Sequence, residues 1–143
     1  MIRATTHDLS VGAALFACLF VITAGAASAA PVLQCQINQG GESRVLEFEP
    51  VTNPYEAKPV MIGKSFQFKA LVFGTKDDID YINLYTYGRT DRGPVLIHEA
   101  RYLHPQRPVT MPEPASLTGW VSVYTPPLGR ELQYACTMIG SAE

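Results

Sequence analysis

Two cysteines constrain this chain more than any other feature. Leu132, Tyr134, Cys136 and Met138 alternate with smaller or polar residues near the end of the chain, the period-2 pattern of a half-buried β-strand. Leu33, Cys35 and Ile37 alternate with Gln34, Gln36 and Asn38 in the same way. Each strand turns a cysteine to its apolar face, so Cys35 and Cys136 are expected to form a disulfide joining the first strand to the last. The loop they close holds about a hundred residues, which chain-entropy arguments value at roughly 4–5 kcal/mol.

That pairing needs an oxidising compartment, and the start of the chain supplies the route. Arg3 precedes an apolar run from Val11 to Ala24, followed by Gly25-Ala26-Ala27-Ser28-Ala29-Ala30-Pro31. Charged, apolar and small-residue regions in that order make a secretory signal peptide, with cleavage expected after Ala29. Residues 1–29 are thus read as signal and 30–143 as a single β-sandwich domain, periplasmic or secreted. Two rivals are an uncleaved membrane anchor, since Val11 to Ala30 approaches the roughly 20 apolar residues of a span, and a lipoprotein box at Leu15-Phe16-Ala17-Cys18. The second would leave a mature chain opening on Cys18-Leu19-Phe20-Val21-Ile22, an apolar start instead of a polar tether.

Loss of the signal removes Arg3 and Asp8 together, so the net charge stays at −2. No basic field for nucleic acid remains. Cys18 leaves as well, and Cys35 and Cys136 are the remaining pair.

Strand signals then follow along the chain. Gln39-Gly40-Gly41-Glu42 reads as a turn, Arg44 to Glu49 as a strand, and Pro50 to Lys64, with Pro50, Pro54 and Pro59, as a long surface connection with Met61 or Ile62 tucked inward. Ser65 to Phe73, Ile79 to Tyr87 and Val95 to Tyr102 form a meander expected at the sheet centre, linked by turns at Gly74-Thr75-Lys76-Asp77-Asp78 and from Gly88 to Pro94. Leu103 to Ser116 carries Pro105, Pro108, Pro112 and Pro114, which exclude helix and central strand. Leu117 to Thr125 is a further strand, and Pro126-Pro127-Leu128-Gly129 turns into the last. About seven strands with turn signals between them predict an all-β, single-domain sandwich of immunoglobulin-like architecture. Tyr134-Ala135-Cys136 resembles the Tyr-x-Cys of an immunoglobulin F strand. No tryptophan follows Cys35 at the spacing of the core tryptophan, and Cys136 lies in the last strand, so no family is assigned.

The chemistry-bearing clusters are sparse. His98, Glu99 and His104 offer metal or acid–base potential, but adjacent residues of a strand point to opposite faces and the spacing fits no zinc motif. Asp77, Asp78 and Asp80 lack the order of a calcium loop and suit a turn. There is no nucleophile elbow. The expectation is therefore no catalytic residue, no metal and no cofactor. The alternative is a metal-dependent enzyme or metal carrier built on His98 and His104.

The tyrosines are the more informative set. Ile82, Leu84 and Thr86 share one face of their strand, and Tyr81, Tyr85 and Tyr87 share the other with Asn83. The aliphatic set suits the core, which leaves the tyrosines outside, although aromatic residues in strands are more often packed than presented. With Arg89 and Arg92 in the next turn and Arg101 beyond it, this face is the candidate contact surface, and the proline loop a second one. The function expected is a small exported binding or accessory module whose partner is another envelope protein or a small ligand, with no nucleic acid and no stable membrane insertion after cleavage.

Overall fold

The computed structural model describes residues 30–105, 117–126 and 128–140. The signal segment, its cleavage point and most of the proline loop, from 106 to 116, lie outside the described residues.

Eight strands form: β1 Val32–Gln39, β2 Glu42–Phe48, β3 Val60–Ile62, β4 Phe66–Gly74, β5 Ile79–Thr90, β6 Gly93–Leu103, β7 Val121–Thr125 and β8 Arg130–Ile139. They make two antiparallel four-stranded sheets, β2-β1-β8-β7 and β3-β4-β5-β6. Among the described residues the only helical element is a 3-10 turn at Pro54–Glu56, started by Asn53 Oδ1 accepting from Tyr55 N at 3.1 Å. No described helix is long and apolar enough to cross a membrane.

Alternation dictates what is buried. Leu33, Cys35 and Ile37 of β1 meet Leu132, Tyr134, Cys136 and Met138 of β8 from within the same sheet. Across from them lie Phe66, Phe68, Ala70 and Val72 of β4 and Ile82 and Leu84 of β5. Phe68 packs against Phe48 and Tyr134, with ring centroids 6.1 and 5.2 Å apart, and so joins the two sheets. Each fully buried side chain of this size contributes roughly 1.5–3 kcal/mol relative to exposure. Cys35 and Cys136 stand directly opposite one another in the β1–β8 ladder and are bonded, as their positions on the terminal strands predict.

Several expectations are corrected. There are eight strands where seven were read, because Val60–Ile62 pairs with Phe66 to Phe68 and buries Ile62 while Met61 faces out. Three residues between Pro59 and Gly63 carry too little periodicity to announce a strand. The immunoglobulin-like architecture is also not what the strands adopt. Each strand lies beside its chain neighbours and β8 closes against β1, an up-and-down order open at two seams, β2/β3 and β6/β7. The disulfide lies within one sheet, whereas the immunoglobulin bond crosses between two. Only β4 and β5 are central in their sheet, and β6 forms its edge. The turn read from Gly88 to Pro94 shrinks to Asp91-Arg92, since both strands continue to a Thr90–Gly93 pair. Finally, β7 starts at Val121, and the amides of Leu117 and Thr118 instead donate to the Cys136 carbonyl.

Candidate functional site

The β4–β5 hairpin sets the geometry of the outer face of the second sheet. Phe73 pairs with Tyr81, Leu71 with Asn83, Lys69 with Tyr85 and Gln67 with Tyr87. On the other side of β5, Tyr85 faces Glu99, Asn83 faces Arg101 and Tyr81 faces Leu103. Ile82, Leu84 and Thr86 are fully buried against the core, so Tyr81, Tyr85 and Tyr87 project outward, each half-buried among its neighbours. The Pro50–Lys64 connection does not cross these rings in any bond the structure shows. Val51 instead runs beside β4, donating to Val72 O at 2.8 Å and accepting from Gly74 N at 3.1 Å.

The rings stand against one another. Phe73 and Tyr81 stack with centroids 4.9 Å apart and planes 18° apart. From the β6 side, the Arg101 guanidinium lies 4.5 Å from the Tyr81 centroid. Tyr81 is thus clasped between a ring from β4 and a cation from β6. Tyr85 stacks loosely with Tyr87 at 6.4 Å and has Lys69 Nζ 5.5 Å from its centroid. Asn83 Nδ2 donates to the Tyr85 hydroxyl at 2.8 Å, while the buried Asn83 Oδ1 has no donor among the described residues. Burial raises the Tyr87 hydroxyl above its usual range, with the neighbouring Tyr85 and Glu99 adding to it, so it remains a donor at neutral pH. Aromatic faces occupied in this way leave ring edges and hydroxyl tips for a partner.

The two arginines read with this face stand differently: Arg89 follows Tyr87 by two positions on β5 and so shares its outer face, whereas Arg92 lies beyond the end of the strand. Arg92 occupies the Asp91-Arg92 turn, where its amide donates to Thr90 Oγ1 at 3.2 Å. Eleven positions of extended chain separate it from Tyr81, about 37 Å. Arg89 also lines a cleft of about 260 Å³ with Ser65, Thr125 and Arg130. Arg130 also donates to Ser65 Oγ there. Arg101 is the arginine whose guanidinium lies over a tyrosine ring. Register is the signal that would have found its clasp with Phe73, because a hairpin turning at Gly74 to Asp78 places Phe73 beside Tyr81.

The histidines are held apart. His98 Nε2 lies 2.8 Å from the Tyr134 hydroxyl, bridging the two sheets. His104 sits just past the end of β6, six positions on and about 20 Å away along extended chain. Among the described residues, no group of three His, Cys, Asp or Glu side chains converges as a metal site would require. In the β4–β5 turn it is Thr75 that organises the chain, its Oγ1 accepting from the amides of Asp77 and Asp78 at 3.3 and 3.2 Å. The aspartate side chains expected to make those bonds do not.

No protein-family model, no curated protein and no solved structure matches this chain.

Proposed function

We propose that the chain is an exported binding module that holds a protein partner on the outer face of β4, β5 and β6. The observation that carries this reading is the Phe73–Tyr81–Arg101 stack beside Lys69, Tyr85 and Tyr87, on the side of the sheet turned away from the core. Tyrosine and arginine are the residue types that dominate protein contact energies, and here their rotamers are held by one another before any partner arrives. A sugar would need open ring faces to stack on, and Tyr81 offers none. The disulfide favours an oxidising compartment, which supports the reading of residues 1–29 as an export signal.

A metal enzyme or carrier on His98 and His104 has less support, since the strand separates the two rings and Tyr134 engages the first.

Affinity capture from the envelope of the exporting cell tests the reading, using wild-type protein, Tyr85→Ala and Tyr124→Ala in parallel. Tyr124 is exposed on the other sheet and serves as control. Tyr85→Ala should weaken the captured partner's affinity about 30-fold, the equivalent of a 2 kcal/mol hot spot, with a folding loss of only about 1 kcal/mol. A stability loss of about 3–5 kcal/mol, as for a core aromatic, would move Tyr85 into the structural framework and sink the proposal. So would equal binding by the two variants.

A further inference from the structure

The β6 edge goes beyond that reading. It is eleven residues long and pairs with β5 on one side only. The other edges are shorter: β2 has seven residues, β3 has three, and β7 has five and is followed by Pro126. The first half of β6 is guarded by Pro94 and by the bulge opposite Thr86 and Tyr87. From His98 to Leu103 there is neither proline nor bulge.

The backbone polarity of that half can be assigned. His104 N donates to Asp80 O at 2.8 Å, so its N–H points to β5, as do those of Tyr102, Ala100 and His98 by alternation. The groups of Glu99, Arg101 and Leu103 therefore point to the open edge, where no described strand pairs with β6. Glu99 and Arg101 also carry their side chains on the outer face, with both residues exposed.

We propose that a second copy of this chain pairs here, β6 antiparallel to β6, about a two-fold axis at Ala100. Three registers would bring the free groups of Glu99 and Arg101 into a ladder. Centred on Glu99, glutamate faces glutamate; centred on Arg101, arginine faces arginine; both place like charges directly opposite. Centred on Ala100, Glu99 of each copy faces Arg101 of the other, twice over. Ala100 then meets its own copy at the close, non-hydrogen-bonded position, where Cα atoms approach to about 4.5 Å and a small side chain fits. The interface is isologous and closes on itself. An axis perpendicular to the sheet keeps both outer faces on one side, so the dimer presents two tyrosine faces side by side on a continuous eight-stranded sheet.

Charge reversal tests the register. Sedimentation velocity on the protein in non-reducing buffer, across the micromolar range, should give twice the chain mass. Arg101→Glu and Glu99→Arg should each give the single-chain mass, with circular dichroism confirming that they fold. Mixing the two variants should restore the doubled mass, because each glutamate again faces an arginine, and so should the double reversal within one chain. A wild-type monomer throughout would overturn the proposal and leave the edge to a strand from another protein. Single variants that stay dimeric, or a mixture that stays monomeric, would overturn it equally. None of these results depends on the protein partner, so the tyrosine-face reading stands or falls separately by Tyr85→Ala.

Discussion

Tyr134 is fully buried with its hydroxyl 2.8 Å from His98 Nε2, which makes a polar atom in an apolar core tolerable. Burial pushes its ionisation well above the usual tyrosine range, with Tyr102 contributing a smaller effect. The consequence for stability has a definite sign. Below about pH 10 the hydroxyl is protonated in folded and unfolded chains alike, and its contribution is fully present. As pH rises further the unfolded chain releases this proton first, so stability should fall by about 1.4 kcal/mol per pH unit. Tyr102 and Tyr87, also shifted upward, add weaker contributions of the same sign. Tyr134→Phe should therefore cost about 1 kcal/mol at neutral pH and flatten the alkaline slope. Urea melts from about pH 9 to about pH 12 would show it, and an unchanged slope would place the cause elsewhere.

The β4–β5 hairpin is the element on which the candidate site depends, because its register decides which ring lies beside Tyr81. Gly74 sits at the register shift after Phe73 with φ +143°, and a Cβ there would stand 2.3 Å from the Asp78 carbonyl oxygen. That oxygen already accepts from Thr75 N at 2.7 Å, so it is not free to yield. Gly74→Ala should cost about 1–3 kcal/mol for the backbone conformation and more for the clash. Gly93 gives the comparison: its φ is +118°, but nothing lies within 4 Å of an added Cβ. Gly93→Ala should thus lose only the conformational part. Thermal melts of the two variants should rank Gly74→Ala as clearly the less stable. Equal losses would mean that the Asp78 carbonyl does not fix the turn. The same hairpin accounts for the Phe73–Tyr81 stack, so a displaced turn should also weaken partner binding without touching a tyrosine.

At the scale of the molecule, the pairing of the first strand with the last closes the chain on itself, and the disulfide locks that closure across a separation of 101 residues. Its main effect is to restrict the unfolded chain, by roughly 4–5 kcal/mol for a loop of this length in the entropic account. Reduction should lower the unfolding free energy by about 2–5 kcal/mol, read from urea melts with and without reductant. Unchanged melts would show that β1 and β8 hold together in the unfolded ensemble without the bond. The two open seams matter in a different way. They leave β6 as a long edge, and with it the association argued above. A closed ring of eight strands would have offered none.

The sequence by itself determined the β class, the alternation that puts Ile82, Leu84 and Thr86 on one face of their strand and Tyr81, Tyr85 and Tyr87 on the other, and the Cys35–Cys136 pair; which face is buried was decided by the structure. These follow from neighbours along the chain, since side chains on a strand alternate whatever the strand pairs with, and two cysteines on inward positions have only each other. That one of Met61 and Ile62 turns inward was legible too, but only the short strand β3 decided that it is Ile62. Strand order, the edge position of β6, the clasp of Tyr81 by Phe73 and Arg101, and the His98–Tyr134 bridge were settled only by the tertiary structure. Each joins residues distant in sequence, through a register and a closure that no local pattern specifies. Arg92 sits in the turn beyond the end of β5, far from Tyr81, while Arg89 keeps its place two positions from Tyr87 on the same face of the strand.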